Sequence, residues 1–134
     1  MQKIGILNSR IAKVLADLGH TDKICVGDCG LPVPSGTPKI DLALRLGEPK
    51  FIEVVKEMAK YMEIQKVYIA PETETENPEQ WKALHKVFPQ DTVEWVMLDS
   101  HEELKAWEKD CKAVIRTGEI TPYSNIILES GVIF

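Results

Sequence analysis

The 134-residue chain has few cysteines, no long hydrophobic run and no excess of positive charge. Its three cysteines include only one close pair, Cys25 and Cys29, which supports neither a disulfide framework nor a zinc site and favours small apolar side chains in a reduced protein. No segment approaches the roughly 20 apolar residues that cross a bilayer. With 21 acidic against 16 dispersed basic residues, the chain lacks the cationic face that nucleic acid requires. We expect a soluble protein without membrane, nucleic-acid or metal partners.

Several catalytic and cofactor motifs are also missing. There is no G-x-G-x-x-G, no phosphate-binding G-x-x-x-x-G-K-[ST] and no G-x-S-x-G, and no cysteine has a histidine nearby in sequence. These absences predict no nucleotide cofactor and no covalent catalysis. Met1 is followed by Gln2 and Lys3 and then by a polar helix start rather than by an apolar signal core, which predicts a cytoplasmic location.

Helical and strand patterns alternate along the whole chain. Helices are expected from Asn8 or Ser9 to Leu18, from Pro49 to about Met62, from Asn77 or Pro78 to Phe88, and after Ser100; strands are expected over 23–27, 39–44, 66–70, 92–98 and 112–116. This alternation predicts one α/β domain over residues 1–134, with three layers and helices on both faces of a central, mostly parallel sheet.

Two segments carry less regular patterns. Residues 71–78 are acidic and have proline at both ends, which favours a solvated loop over a cation site. The apolar residues 126–128 and 132–134 flank Ser130-Gly131 and predict a final strand that ends inside the fold.

Hydrogen-bonding side chains lie at the ends of these predicted elements. His20 follows the helix stop at Gly19, Asp28 ends the first strand, and His101 lies in the first turn of the helix that Ser100 caps. Tyr123 and Asn125 follow the last parallel-type strand, whereas His85 is placed mid-helix, where packing is the default. The set suits a neutral ligand with many hydroxyl groups.

Seven short motifs in this order resemble the RbsD/FucU family of sugar mutarotases, and within it the ribose branch. They are Gly5-Ile6-Leu7-Asn8-Ser9, Leu18-Gly19-His20-Thr21-Asp22, Asp28-Cys29-Gly30-Leu31-Pro32-Val33-Pro34, Lys39-Ile40-Asp41-Leu42-Ala43-Leu44, Ser100-His101-Glu102-Glu103, Ala113-Val114-Ile115-Arg116-Thr117-Gly118-Glu119 and Thr121-Pro122-Tyr123-Ser124-Asn125-Ile126. Together they cover essentially the whole chain.

The resemblance implies a site and an assembly. It makes His20 the proton donor and gives sugar-binding roles to Asp28, His101 and the segment Tyr123, Ser124 and Asn125. It also implies a homo-oligomer, usually a decamer of two stacked pentamers, with sites between neighbouring subunits. The ring interconversion itself requires no cofactor or metal. Cys29 and Ser124 stand where alanine is commoner in relatives, and both changes are small.

The implied reaction is the interconversion of the pyranose and furanose forms of free D-ribose. The ring opens when the anomeric hydroxyl loses a proton and the ring oxygen gains one. An imidazole with an ordinary pKa near ~6.5 can do both at cytoplasmic pH. Asp28 can orient a hydroxyl as an acceptor, and Asn125 can both donate and accept.

Three other interpretations stay open. A fucose-type mutarotase would exchange α and β anomers with a similar His and Asp. A sugar-binding accessory protein of ribose transport would bind without catalysis. A structural or interaction module would bury His20 against apolar side chains, away from any pocket.

Overall fold

Six strands form one sheet in the computed structural model, which describes residues 1–134. The strands are β1 (Lys23–Gly27), β2 (Lys39–Asp41), β3 (Ile64–Ile69), β4 (Glu94–Met97), β5 (Ala113–Arg116) and β6 (Ile126–Ser130). They lie in the order β2-β5-β1-β6-β3-β4. The pairs β1–β5, β2–β5 and β3–β4 are parallel, whereas β6 runs antiparallel to both β1 and β3. Five strands therefore point the same way, and the predicted mostly parallel sheet is confirmed.

Helices cover both faces of this sheet, as the alternation of patterns predicts. They are α1 (Ser9–Asp17), α2 (Phe51–Tyr61), α3 (Pro71–Glu76), α4 (Pro78–Val87) and α5 (His101–Trp107), and a short 3-10 helix, Glu108–Asp110, follows α5. None of these helices is long and apolar enough to cross a membrane.

The larger part of the core lies between the sheet and α1, α2 and α4. Helix α2 buries Phe51, Val55 and Met58, whose helical spacing places them on one stripe. Ile24 and Val26 of β1 face the same cluster because alternate residues of a strand point to the same side.

The opposite face of the sheet packs against α5 and the 3-10 helix. Cys25 of β1, Leu104 of α5 and Cys111 belong to this smaller cluster. Glu108 is fully buried here, and neither of its carboxylate oxygens has a hydrogen-bond partner. Burial raises the pKa of Glu108 to about 7, although nearby Lys105 acts to lower it.

The predicted helix starts are confirmed where a capping side chain is present. The Asn8 side chain accepts hydrogen bonds from the backbone N–H groups of Arg10 and Ile11. Ser100 accepts from the backbone N–H of Glu103, but the Glu103 carboxylate accepts from Asp99 rather than from Ser100. The second half of the expected capping box is therefore shifted by one residue.

The expected loop over residues 71–78 is wrong, because Pro71–Glu76 forms helix α3. Pro71 lies at the first helical position. A backbone N–H makes no hydrogen bond within the helix at this position, so proline is tolerated there. Glu72 and Glu74 lie in the first turn, where negative charge is favourable. A proline and acidic residues thus mark a helix start here, and Asn77 separates α3 from α4.

Two strand predictions are too long. Strand β2 ends at Asp41, whose carboxylate accepts the backbone N–H of Ala43 and turns the chain away from the sheet. Strand β6 ends at Ser130, and the last residues, Ile133 and Phe134, are 89% and 100% exposed. The final residues therefore lie on the surface of the single chain and do not end inside it.

The loop between β5 and β6 is held by a close backbone approach. The Gly118 N–H donates to the carbonyl oxygen of Pro49, and the Gly47 N–H donates to that of Gly118. A Cβ at Gly118 would lie 2.1 Å from the carbonyl oxygen of Glu48, so only glycine fits. Buried Glu119 adds four acceptor contacts, to the N–H groups of Phe51, Ile120 and Thr121 and to the Thr121 hydroxyl. This loop leads directly into Tyr123 and Asn125.

The buried carboxyl of Glu108 makes the free energy of unfolding depend on pH. The folded protein keeps this proton up to a pKa of about 7, whereas the ordinary value is 4.5. Between these values the folded state binds more protons, so this group lowers the free energy of unfolding as pH rises. Glu108→Gln lacks this ionisation. We therefore predict that the free energy of unfolding of Glu108→Gln, relative to that of wild type, increases by about 2–3 kcal/mol from pH 5 to pH 8. Chemical denaturation at fixed protein concentration measures this gain, and an equal difference at both pH values would contradict it.

Candidate active site

Polar side chains converge at the edge of the sheet where the five parallel strands end. Asp28 directly follows β1, and Asn125 directly precedes the antiparallel β6 at the same edge. The Asp28 N–H donates to Asn125 Oδ1 at 3.0 Å, and Asn125 Nδ2 donates to Asp28 Oδ2 at 3.1 Å. The other carboxylate oxygen of Asp28 accepts the N–H of Gly30 at 2.9 Å. The Asn125 amide and the Asp28 carboxylate thus fix each other, and Asp28 remains partly exposed.

His101 lies beside this pair at the start of α5. Its backbone N–H donates to both carboxylate oxygens of Glu72, at 3.1 and 3.0 Å. Its ring meets the ring of Tyr123 edge-on, with 5.2 Å between the centroids. Burial, and then the charge of Lys105, lower the pKa of His101, so the ring is held neutral. Its Nδ1 is buried and has no hydrogen-bond partner in the chain.

Tyr123 is held in an unusual backbone conformation. Its φ of 56° lies in the left-handed region, which non-glycine residues seldom adopt. The Thr73 hydroxyl donates to the Tyr123 carbonyl oxygen at 2.8 Å, and Asn77 donates to the carbonyl oxygen of Pro122 at 2.8 Å. Helices α3 and α4 therefore hold the backbone that places this ring beside His101.

Ser124 lies between these residues but points into the protein. It is fully buried, its hydroxyl oxygen accepts hydrogen bonds from Asn77 and Gln80, and it also bonds the Thr121 hydroxyl. The Ser124 hydroxyl thus supports the loop, and the residue presents no surface to a ligand in the single chain.

His20 lies at the opposite edge of the sheet, before β1 begins. It is exposed and borders a groove of about 450 Å³ that the last residues of the chain also line, including Ile133 and Phe134. Its Nε2 lies 3.1 Å from Oε1 of Gln65. His20 is thus beside a groove, as a functional residue would be, and not buried in apolar surroundings.

The five residues of β1 separate His20 from Asp28. At about 3.3 Å per residue, and with the flanking turn, the two side chains lie on the order of 20 Å apart. No monosaccharide bridges that distance, so one chain does not bring its predicted site residues together. Asp28, His101, Tyr123 and Asn125 form one half-site, which we call the carboxyl-edge half-site; His20 and its groove form the other, the His20 half-site.

No metal-binding cluster of side chains lies in either half-site, and two of the three cysteines are buried. No group of three or more His, Cys, Asp or Glu side chains is arranged to bind a metal ion. Cys25 and Cys111 are buried, and burial raises the pKa of both thiols, that of Cys111 to about 12. His85 packs between Trp81 and Trp95, in agreement with the expected packing role.

Sequence reasoning missed three residues that support the half-sites. The acidic pattern of residues 71–78 favours a solvated loop for Glu72, yet its carboxylate accepts the backbone N–H of His101. Gln65 and Glu129 were assigned no role, yet Gln65 contacts His20 and donates to Glu129. One signal is available in the sequence: Glu129 is a charged residue directly after the apolar residues 126–128 of the final strand.

The chain matches known proteins over its whole length. The model of the RbsD / FucU transport protein family matches residues 1–133. A D-ribose pyranase of Lactobacillus gasseri is 54% identical over 134 residues and one of Staphylococcus haemolyticus is 55% identical over 134 residues, each covering 100% of both chains.

Solved structures give the same relationship. Bacillus subtilis RbsD complexed with D-ribose has a TM-score of 0.95 and 53% identity, with 100% of both chains covered. The fucose mutarotase of Streptococcus pneumoniae in complex with L-fucose has a TM-score of 0.77 at 20% identity, over 96% of this chain and 95% of that one, which shows a common fold alone. Because the family model spans nearly the whole chain and relatives more than half identical cover it from end to end, the chain belongs to the RbsD / FucU transport protein family.

Proposed function

We propose that this chain is a D-ribose pyranase, which interconverts the pyranose and furanose forms of free D-ribose. The observation that carries the proposal is the 53% identity and TM-score of 0.95 to an RbsD that was solved with D-ribose bound. The curated relatives that are 54% and 55% identical are named for the same activity. The fucose mutarotase, at 20% identity, is much more distant, which favours the ribose branch over the fucose branch.

The proposed chemistry needs proton transfers and hydroxyl binding only. The anomeric hydroxyl loses a proton while the bond from the anomeric carbon to the ring oxygen breaks, and the ring oxygen takes up a proton. Reclosure through another hydroxyl reverses these steps. We assign the transfers to His20, which reaches solvent and the groove.

The carboxyl-edge half-site supplies the groups that would bind the sugar. Asp28 accepts from hydroxyl groups, with its rotamer already fixed by Gly30 and Asn125. His101 offers its partly exposed imidazole ring, and Tyr123 offers an aromatic face. Because the binding groups are oriented before the ligand arrives, little ordering is required on binding.

The separation of the half-sites implies that a complete site needs two chains. We infer a homo-oligomer in which His20 of one subunit meets the carboxyl-edge half-site of its neighbour, with ten subunits as the expected number. Exposed apolar side chains at both edges support such contacts: Leu44, Leu46 and Ile120 follow strands that end at the carboxyl edge, and Ile133 and Phe134 lie beside His20. A cytoplasmic location also remains a prediction from the sequence.

An accessory role in transport is the second candidate, because the matching family is described as a transport protein family. Such a protein would bind ribose without changing its ring form. Saturation-transfer NMR between the pyranose and furanose anomeric signals separates the two. Exchange faster than in protein-free ribose supports the pyranase, and binding without acceleration supports the accessory role.

His20→Ala should lower exchange by about 10²–10⁴-fold, the usual contribution of a positioned general acid or base. The melting temperature should stay unchanged because the ring is exposed. His85→Gln serves as the histidine control, since His85 packs against tryptophans away from both half-sites. Near wild-type exchange in His20→Ala would remove His20 from its proposed role.

Asp28→Asn should weaken ribose binding and exchange by about ten- to a hundred-fold. Both carboxylate oxygens face N–H donors, from Gly30 and from Asn125, so the new amide nitrogen must face a donor. The amide also offers the sugar a donor in place of one acceptor, so one charge-assisted hydrogen bond to a sugar hydroxyl, worth about 1.5–3 kcal/mol, is lost.

Asp41→Asn is the matched control for this change. Asp41 ends β2, accepts the N–H two residues on, and pairs with Arg116 at 3.0 Å, but it lies outside the carboxyl-edge half-site. Both variants should lose thermal stability, and only Asp28→Asn should lose ribose affinity. Preserved affinity in folded Asp28→Asn would reduce Asp28 to a structural role.

The shared site predicts complementation between two defective variants. His20→Ala and Asp28→Asn, co-expressed with different tags and purified as mixed oligomers, should recover about a quarter of wild-type exchange. The reason is that a random mixture places an intact His20 opposite an intact Asp28 at one interface in four. If each chain held a complete site, the mixture would show only the average of the two variants.

A further inference from the structure

The ring of His20 has one hydrogen-bond partner in the chain, the side chain of Gln65. The distance from His20 Nε2 to Gln65 Oε1 is 3.1 Å. A neutral imidazole carries its proton on either Nδ1 or Nε2, and the other nitrogen is then the base. The partner of one nitrogen therefore decides which nitrogen can take a proton from a ligand.

The orientation of the Gln65 amide is set by Glu129. Gln65 Nε2 donates to Glu129 Oε1 at 2.6 Å, and the other Glu129 oxygen accepts from the Tyr68 hydroxyl at 2.5 Å and pairs with Lys23 Nζ at 3.0 Å. Burial acts to raise the pKa of Glu129, but hydrogen bonds from Tyr68, Gln65 and Lys23 outweigh it and lower this pKa. Glu129 is thus an ionised group that only accepts. The amide nitrogen of Gln65 must face it, and the amide oxygen must face His20.

A β-bulge makes this contact possible. The register between β3 and β6 shifts between Ile64 and Lys66, which leaves Gln65 as the extra residue. Gln65 and Tyr68 are an odd number of positions apart, so a regular strand would point them to opposite faces. The bulge turns Gln65 toward the face where Tyr68 and Glu129 lie, and bulges commonly re-aim a side chain in this way.

An amide oxygen accepts hydrogen bonds and never donates them, so the proton of neutral His20 must lie on Nε2. We propose that Gln65 and Glu129 are positioning residues that hold His20 in its Nε2–H tautomer, which makes Nδ1 the atom that exchanges protons with the sugar. This assignment rests on the proposed role of His20 in the pyranase reaction. In that reaction Nδ1 accepts the proton of the anomeric hydroxyl as the carbon–oxygen bond of the ring breaks, and it returns a proton to the released ring oxygen, so His20 ends unchanged.

The ring nitrogens of His20 can be observed directly without sugar. In ¹⁵N-histidine-labelled protein, two-bond ¹H–¹⁵N spectra identify the tautomer, and His20→Ala assigns the signals. Wild type should show the Nε2–H form when His20 is neutral. Wild-type protein in the Nδ1–H form would overturn the proposal.

Glu129→Gln should reverse the tautomer. Lys23 and Tyr68 need an acceptor, so the new amide keeps its oxygen toward them and turns its nitrogen toward Gln65. The Gln65 amide must then rotate and present its own N–H to His20, which favours the Nδ1–H form. Gln65→Met removes the contact and should give a mixture of tautomers. Exchange should fall on the order of tenfold in each, the equivalent of one hydrogen bond.

Tyr68→Phe is the matched control, because it removes a hydrogen bond from the same carboxylate but leaves the contacts of Gln65 in place. It should keep the wild-type tautomer. An unchanged tautomer in both Gln65→Met and Glu129→Gln would overturn the proposal even if His20→Ala is inactive. Failure of His20→Ala to lose exchange would instead overturn the proposed role of His20.

Discussion

Strand β6 runs against the other five strands and is hydrogen-bonded on both sides, to β1 and to β3. All five of its residues are buried, and it is the only connection within the sheet between the β2-β5-β1 half and the β3-β4 half. A residue at each end of β6 holds a side chain of one half-site in position. Asn125, just before it, fixes Asp28, while Glu129 near its other end orients Gln65 beside His20. A shift of two residues in its register would keep the apolar pattern but separate both polar pairs from their partners.

The periodic parts of the chain were predictable because their apolar spacing is dictated by burial. Helix α2 buries one apolar stripe, and strand β1 is buried on both faces. The sequence predicts the position of both elements to within a few residues. The caps at Asn8 and Ser100 were predictable for a local reason, since the side chain that accepts the first N–H groups belongs to the cap itself. His20, Asp28 and His101 were identified as candidates because they lie at element ends.

The remaining features depend on contacts between distant parts of the chain. Pro71 and the acidic residues after it fit either a loop or a helix start, and the helix is stabilised by buried Thr73, which donates to the Tyr123 carbonyl oxygen. Gln65 has an ordinary polar side chain in a strand, and only the bulge opposite β6 gives it a partner in His20. Ser124 lies between two candidate site residues, Tyr123 and Asn125, yet its hydroxyl bonds to Asn77 and Gln80 inside the protein. No pattern in the local sequence predicts any of these contacts.

The position of the half-sites also restricts how chains can assemble. His20 precedes β1 and Asp28 follows it, so the rigid strand keeps the two apart in every subunit. In the proposed pyranase, a complete site therefore requires the carboxyl edge of one chain to face the opposite edge of another. When that contact is repeated head to tail, each chain gives His20 to one neighbour and its binding half-site to the other. An open chain of subunits would leave one unused half-site at each end, whereas closure into a ring completes a site for every subunit. Ile120 and Phe134 are exposed apolar groups at these two edges, so the contact that completes the site in the proposed assembly would also bury them and so stabilise that assembly.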